Sequence, residues 1–382
     1  MVLIPRRSWQ ELGKDQRMQG FETITEMGHE QVVFCHDKAT GLKAIIAIHD
    51  TTLGPALGGT RMWDYANTDA ALFDVLRLSR GMTYKAACAG LNLGGGKAVI
   101  IGDAKKIKSE ALFRAFGRFV NSQGGRYITA EDVNINVNDI EQVAAETPYV
   151  TGVTSRPGGS GDPSPVTAWG VFHGIRASVK QRLGKDNIKG LKVAVQGCGA
   201  VGRYLCQYLH EAGAHLIVSD IDQEKVNALV AAHGAKAVEG HAIYGVDADV
   251  FAPCALGAIV NDETIPMFKF PIIAGGANNQ LLDEHKHGKI LREKNILYAP
   301  DYVINAGGLI NVYNELRGYN AEVARNQAAG IYNTLLTIYS EADKQGISTH
   351  AASNAVAERR INSVKAVTGF KHSYDNQAWI RR

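Results

Sequence analysis

Leu191-Lys-Val-Ala-Val-Gln196, followed at once by Gly197-Cys198-Gly199-Ala200-Val201-Gly202, is the stretch on which the fold turns. Leu191 to Gln196 reads as a buried strand, Tyr204 to Ala212 has helical spacing, and His215-Leu-Ile-Val-Ser219 is a second strand ending at Asp220. A Gly-x-Gly-x-x-Gly between strand and helix, with an acid at the end of the next strand roughly 20 residues on, is a dinucleotide-binding turn in its required context. The glycines permit the tight turn and a close approach to pyrophosphate, and the helix N-terminus attracts its charge. Residues 197 to 202 are therefore the expected cofactor contacts, with Asp220 on the ribose hydroxyls. Asp220 and Asp222 would repel a 2′-phosphate and no arginine follows them, which favours NAD over NADP.

Working outward, apolar runs at Val250-Phe-Ala252, Pro271 to Ala274 and Ile296 to Tyr298 alternate with helical stretches, as in a doubly wound α/β domain. Asn278-Asn279-Gln280 follows a Gly-Gly pair at a strand end, where neutral amides can bind nicotinamide or substrate; an Asx turn is the other reading. Upstream, Ser155 to Pro165 is rich in Gly, Pro and Ser and reads as a linker, and Pro165 starts a long helix through Arg182. After Asn305-Ala-Gly-Gly308, helical patterns run to about residue 365 and are expected to cross back onto the first domain.

The first domain is organised around two lysines. Leu78, Met82 and Lys85 follow at helical spacings and share one face. Lys97 follows Gly94-Gly95-Gly96, read as a turn that glycine tolerates, and opens the buried strand Ala98 to Ile101. Two ammonium groups beside one pocket can divide the work. Burial and a neighbouring cation disfavour the charged form of one, and the other stays charged to hold an anion such as a carboxylate. Spacing alone leaves open that both are surface lysines flanking a structural turn. A phosphate-binding P-loop fails, because its first glycine position holds Leu91 and its Ser/Thr position holds Ala98. Arg126 to Ala130 reads as a strand with Asp132 at its carboxyl end; Asp132 is either an acid/base partner of the lysines or a cap for the turn toward Asn138-Asp139. Thr51 to Arg61 is glycine-rich, two strands are expected near Gln31 to Cys35 and Lys43 to Ile48, Thr68-Asp69 is expected to cap a helix running toward Lys85, and Ser109 opens another.

At 382 residues the chain exceeds one ordinary core, so two domains are expected. A hydrophobic share of 45%, a charged share of 21% and a net charge of +3 describe a globular chain with no clustered basic surface for nucleic acid or an anionic membrane. Five scattered cysteines without a Cys-x-x-Cys read as reduced cytosolic thiols, excluding a zinc site or disulfide frame. No apolar run reaches the ~18 residues of a membrane span. The N-terminus lacks the apolar core of a secretory signal, and residues 1–18 read as a polar extension.

Gly58-Gly-Thr-Arg61, Met82-Thr-Tyr-Lys85, Gly94-Gly-Gly-Lys97, Ala130-Glu-Asp132, Ser164-Pro-Val-Thr167, Gly197 to Gly202, Ala277-Asn-Asn-Gln280 and Pro300-Asp-Tyr-Val-Ile-Asn-Ala-Gly-Gly308 occur in this order. Together they closely resemble the amino-acid dehydrogenase family of leucine, valine, phenylalanine, tryptophan and glutamate dehydrogenases, over roughly residues 21 to 365 and nearest its leucine branch. The resemblance implies an α/β chain of two domains. Residues 1–155, completed by C-terminal helices at about 346–382, would form the substrate and oligomerisation domain; residues 166–345 would form the Rossmann-type NAD domain. It implies reversible NAD-dependent deamination of an L-amino acid to a 2-oxo acid and ammonia, in a cytoplasmic homo-oligomer, octamer or dimer, with closure of an interdomain cleft. Lys97 matches the base that activates water, Asp132 its proton partner, and Lys85, helped by Gly58 and Gly59, the substrate-carboxylate site. Asn279 matches the residue on the substrate amino group, and Thr167 and Asn278 match contacts near the nicotinamide.

Glutamate enzymes resemble this chain but carry a lysine where Leu57 stands, and Val312 is also apolar. An acidic substrate side chain would be left unpaired, so an apolar one, leucine or another branched-chain residue, is expected beside Leu57, Met82, Ala130, Leu309 and Val312. Leu309, Asn134 and Asn311-Val312-Tyr313-Asn314 depart from the leucine pattern toward aromatic and tryptophan enzymes, which keeps phenylalanine and tryptophan as alternatives. The rival of another class is a non-catalytic NAD-binding regulator on the same scaffold.

Overall fold

The computed structural model describes residues 20–153, 159–255 and 257–367. The polar extension expected at 1–18, the first residues of the expected linker (155–158) and the last part of the C-terminal return lie outside the described residues. Two compact units make up the chain: residues 1–161, 315–319 and 360–382 in the first, and 162–314 with 320–359 in the second.

In the first unit, helix α1 (Gly20–Met27) leads into β1 (Gln31–Asp37) and β2 (Leu42–Asp50), then β3 (Ala56–Leu57), β4 (Thr60–Trp63), α2 (Thr68–Cys88) and β5 (Gly94–Ile101). Then come α3 (Ala104–Ile107), α4 (Glu110–Asn121), β6 (Tyr127–Ile128) and α5 (Val137–Ala144). The strand order is β1-β2-β5-β3-β6, with β4 also on β5. β1, β2 and β5 pair antiparallel, while β3 and β4 run parallel to β5. Alternation along the strands builds two cores. Ile45, Ala47 and Val99 pack under Leu72, Val75 and Leu76 of α2, while Ile46, Ala98 and Ile100 pack against Phe113 and Phe116 of α4 and Ile140 of α5. Lys97 lies two residues from Val99 and so shares the α2 face of the sheet.

Two local expectations are corrected. Asn67 is the N-cap of α2, its side chain accepting the Ala70 N–H; Thr68 and Asp69 already lie in the helix. The three glycines before Lys97 are not a turn but the first residues of β5. Their role is closeness. A Cβ on Gly95 would stand 2.1 Å from the Thr83 amide nitrogen and 2.5 Å from the Ser79 carbonyl oxygen, and one on Gly96 would meet the Tyr127 ring at 2.7 Å. Removing side chains lets α2 lie directly on the strand that carries Lys97. At the end of α2, Arg360 donates to the carbonyls of Ala86, Ala87 and Leu91 at 3.3, 3.1 and 2.8 Å.

In the second unit, α6 (Ser164–Leu183) is followed by β7 (Lys192–Gln196), α7 (Ala200–Glu211), β8 (His215–Ser219), α8 (Gln223–His233), β9 (Lys236–Ala237), β10 (Val250–Pro253) and β11 (Ile272–Ile273). Next are α9 (Glu284–Glu293), β12 (Leu297–Tyr298), α10 (Asp301–Ile304) and α11 (Gly307–Glu315), whose last residue groups with the first unit. α12 (Ala321–Ala329), α13 (Ile331–Gln345) and α14 (Thr349–Lys365) complete the described chain. The six strands are parallel in the order β12-β11-β10-β7-β8-β9. β9, too short and exposed for a sequence pattern, adds an edge beyond the expected strands. The return to the first unit begins at Arg360, within α14, and not near residue 346.

Gly95→Ala is expected to lower unfolding stability by about 3 kcal/mol, because backbone must move to admit the methyl. Gly81→Ala, in α2 with nothing within 4 Å of its Cβ position, should instead stabilise by about 0.5–1 kcal/mol. Urea unfolding of both variants checks the assignment.

Candidate active site

Each unit assembles its own group of the expected residues. In the first, β3 inserts between β5 and β6, pairing Leu57 with Gly95 and with Ile128. The Gly58-Gly59 link between β3 and β4 is therefore squeezed between strands. A Cβ on Gly58 would meet the Gly96 carbonyl oxygen at 1.8 Å and Met82 Cγ at 3.2 Å; one on Gly59 would meet the Glu131 carbonyl oxygen at 2.2 Å and Asp132 Cβ at 3.1 Å. Glycine here brings Met82, Asp132 and β5 to one place. Both backbone groups of Gly58 are engaged: its N–H donates to the Ile128 carbonyl at 3.1 Å, and its carbonyl accepts the Tyr127 hydroxyl at 2.7 Å. The N–H expected to help hold a carboxylate is thus committed to the sheet at Gly58. Leu57 and Ala130 are buried, and Leu78, Met82 and Lys85 form a half-buried strip along α2.

Lys97 is 6% exposed, and its Nζ lies 3.0 Å from Asp132 Oδ2. The same oxygen accepts from Arg61 Nε at 3.1 Å. Asn136 and Asp139 cap α5 between themselves, while the Asp132 carboxylate faces Lys97 and Arg61. Arg61 also donates to Asp74 Oδ2 at 3.0 Å, and the Tyr65 hydroxyl donates to that oxygen at 2.7 Å. Burial pushes the Asp132 carboxyl up, but Lys97 and Arg61 together outweigh it and hold the pKa at about 2. At neutral pH Asp132 is therefore an anion facing two cations. Arg61, Asp74 and Tyr65 escaped the sequence reading as a network. The signal that could have found Arg61 was its place, in register with Val99 on the parallel strand next to Lys97.

In the second unit, Gly197 adopts φ 99°, and a Cβ on Gly202 would stand 1.9 Å from the Gly197 carbonyl oxygen. Gly199 caps α7 without a side-chain bond and has nothing within 4 Å of its Cβ position. That open helix N-terminus, crossed by a bare backbone, fits a pyrophosphate. The second core glycine is flanked by Cys198, Ala200 and Val201, whose methyl group reaches within 3.2 Å of a Cβ placed on Gly276. Asp220 Oδ2 accepts the Cys198 N–H at 2.6 Å, so this acid also shapes the turn, and Oδ1 accepts the Asp222 N–H at 2.9 Å. Lys225 lies beside these acids but pairs with Asp222 at 3.0 Å.

Thr167 lies in the first turn of α6, its hydroxyl donating to the Pro163 carbonyl at 3.0 Å and packing against Gly308. Asn278 is exposed, and its Oδ1 accepts from Asn305 Nδ2 at 2.7 Å. Asn279 is half-buried with φ 52°. Leu309 is buried and Val312 half-buried on α11.

The Glu/Leu/Phe/Val dehydrogenase dimerisation-domain model matches residues 29–149, and the Glutamate/Leucine/Phenylalanine/Valine dehydrogenase model matches 158–224 and 218–369. A leucine dehydrogenase from Bacillus cereus is 57% identical over 90% of this chain and 94% of its own. An L-tryptophan dehydrogenase from Nostoc punctiforme is 55% identical over 90% of this chain and 97% of its own. The crystal structure of L-tryptophan dehydrogenase from Nostoc punctiforme superposes with a TM-score of 0.82 at 54% identity, covering 91% of this chain and 99% of that one.

Arg61→Met removes one of two cations from Asp132. Its carboxyl pKa should rise, moving the acidic limb of a kcat/KM–pH profile upward and lowering turnover at neutral pH by about tenfold or more. A carboxyl depressed to about 2 stabilises the fold above pH ~4 and loses that contribution as pH falls from ~4 toward ~2, on the order of 2 kcal/mol. Acid unfolding of Asp132→Asn should lack this component.

Proposed function

The chain belongs to the Glu/Leu/Phe/Val dehydrogenase family, as an oxidoreductase of amino-acid oxidative deamination using a nicotinamide dinucleotide, and from that premise we propose that it acts with NAD on an apolar, branched-chain L-amino acid. The observation that carries the catalytic assignment is the buried Lys97 amine at 3.0 Å from an Asp132 carboxylate that Arg61 holds charged.

A nicotinamide dinucleotide held at the Gly197–Gly202 turn would supply the acceptor for the hydride of the substrate Cα. The protein's task is binding and proton traffic. Lys85 holds the substrate carboxylate as a point charge, and the Asn279 carboxamide accepts from the substrate amino group. Loss of hydride leaves an iminium carbon. Lys97, once neutral, takes a proton from the water that attacks this carbon, and a cationic lysine would be repelled there. Asp132 receives and returns the Lys97 proton while Arg61 compensates its charge. Lys97 then gives that proton to the nitrogen and takes up the hydroxyl proton as the C–N bond breaks, which releases ammonia and leaves the 2-oxo acid.

NAD is favoured over NADP because Asp220 and Asp222 present carboxylates where a 2′-phosphate would lie, and Lys225 is spent on Asp222. The buried Leu57 offers an acidic substrate no partner, which favours an apolar side chain. The second reading, an aromatic substrate, rests on the buried Leu309 and on Asn311-Val312-Tyr313-Asn314. The dimerisation-domain match supports a homo-oligomer, and five cysteines outside any disulfide suit a reducing cytoplasm.

The test is NADH production from leucine, valine, phenylalanine, tryptophan and glutamate, with NADP as a second cofactor. Leucine or valine with NAD should lead. Inactivity on all five overturns the reading, and glutamate in the lead overturns the apolar assignment. Lys97→Ala should lose about 10²–10⁴ in kcat with NADH binding retained; wild-type turnover removes the base assignment.

A further inference from the structure

Asp301 is buried in the second unit, 7% exposed at the start of α10. Among the described residues no lysine or arginine pairs with it. A buried carboxylate without a cation is costly unless its oxygens are hydrogen-bonded. Oδ1 accepts the Tyr302 N–H at 2.6 Å within its own helix, and Oδ2 accepts the Gln280 N–H at 2.8 Å, from a loop 21 residues away in sequence. That second bond joins α10 to the loop between β11 and α9.

The loop needs such a hold. Asn279, directly before Gln280, has φ 52°. This left-handed conformation carries a cost of order 1 kcal/mol in a residue with a side chain. Ala258, whose N–H donates to the Asn279 carbonyl at 2.6 Å, is left-handed too at φ 58°. Gln280 is fully buried and spends its carboxamide N–H groups on the carbonyls of Gly275 and Ala277 at 2.8 and 2.9 Å. Asn305, also supplied from the end of α10, donates to Asn278 Oδ1 and to the Gly276 carbonyl. Every one of these bonds restrains the loop backbone or Asn278. The Asn279 side chain, in contrast, makes no hydrogen bond to the protein among the described residues. The loop is thus braced around one uncommitted carboxamide.

We propose that Asp301 is a positioning residue: through the Gln280 N–H it holds Asn279 in its left-handed turn and so presents the Asn279 carboxamide to the substrate amino group. This rests on the Asn279 assignment made under Proposed function. Strain stored at a binding residue persists only where surrounding bonds over-determine it. Asp301 accepts two N–H groups at once, which an amide cannot reproduce, because it would turn an NH₂ toward one of the two donors.

The experiment is a double-mutant cycle on the full chain with Asp301→Asn and Asn279→Gly, the glycine removing the carboxamide while keeping φ above zero. Steady-state kcat and KM for the best amino-acid substrate are read beside the NADH dissociation constant and the hydrogen exchange of residues 276–282. Asp301→Asn should lower kcat/KM about tenfold or more, leave NADH affinity within about threefold, and speed exchange in that loop. In the Asn279→Gly background it should cost no further kcat/KM. Losses that multiply across the two variants overturn the positioning role while leaving the Asn279 assignment standing. Wild-type kcat/KM in Asn279→Gly alone overturns the Asn279 assignment, and the inference with it. If Asp301→Asn does not fold, Asp301→Ser, whose hydroxyl can still accept one N–H, takes its place with the same two outcomes.

Discussion

One carboxylate shared between two cations governs the first unit. Asp132 can be partly buried, at 21% side-chain exposure, because Lys97 and Arg61 both reach the same oxygen. Two donors on one acceptor are more than charge balance needs, and the surplus has a chemical use. A buried ion pair with a single cation collapses energetically when that cation loses its proton. Here Arg61, which stays charged across the accessible pH range, is a second cation on the same oxygen. The Arg61–Asp74–Tyr65 chain in turn fixes where Arg61 sits.

Close packing makes that arrangement reachable. Lysine is too long to be buried in a sheet face unless the neighbouring element comes near enough to line its path. The glycines of β5 let α2 settle on the strand, and Gly58 and Gly59 let β3 and β4 thread past Gly96 and Asp132. What reads in sequence as flexibility is, in the folded unit, proximity. The second unit uses glycine for a different reason: Gly197 needs a positive φ, Gly202 meets a carbonyl, and Gly199 faces open space where a ligand's phosphate can approach.

Strand-and-helix periodicity, the dinucleotide turn and the ordered motifs were legible in the chain itself, because each depends on residues close together in sequence. Leu191 to Asp220 needs only a strand, a turn, a helix and a second strand in succession. Lys97 and Asp132 were singled out through resemblance, and the fold brings the two side chains to ion-pair distance. The networks around them were not legible. Arg61 and Asp132 are 71 residues apart, and Asp301 and Gln280 are 21 apart. No local propensity reports such a pairing.

The amino-acid sequence alone therefore determined the class of architecture, the nucleotide turn and the identity of the chemical groups, since these follow from local pattern and side-chain type. Tertiary structure decided that the triple glycine is strand and not turn, that the Asp132 carboxylate pairs with Lys97 and Arg61, and that the chain's return begins at Arg360. The physical reason is common to all three. Each is settled by which distant backbone comes within a few ångströms, and that is a property of packing which no window of neighbouring residues contains.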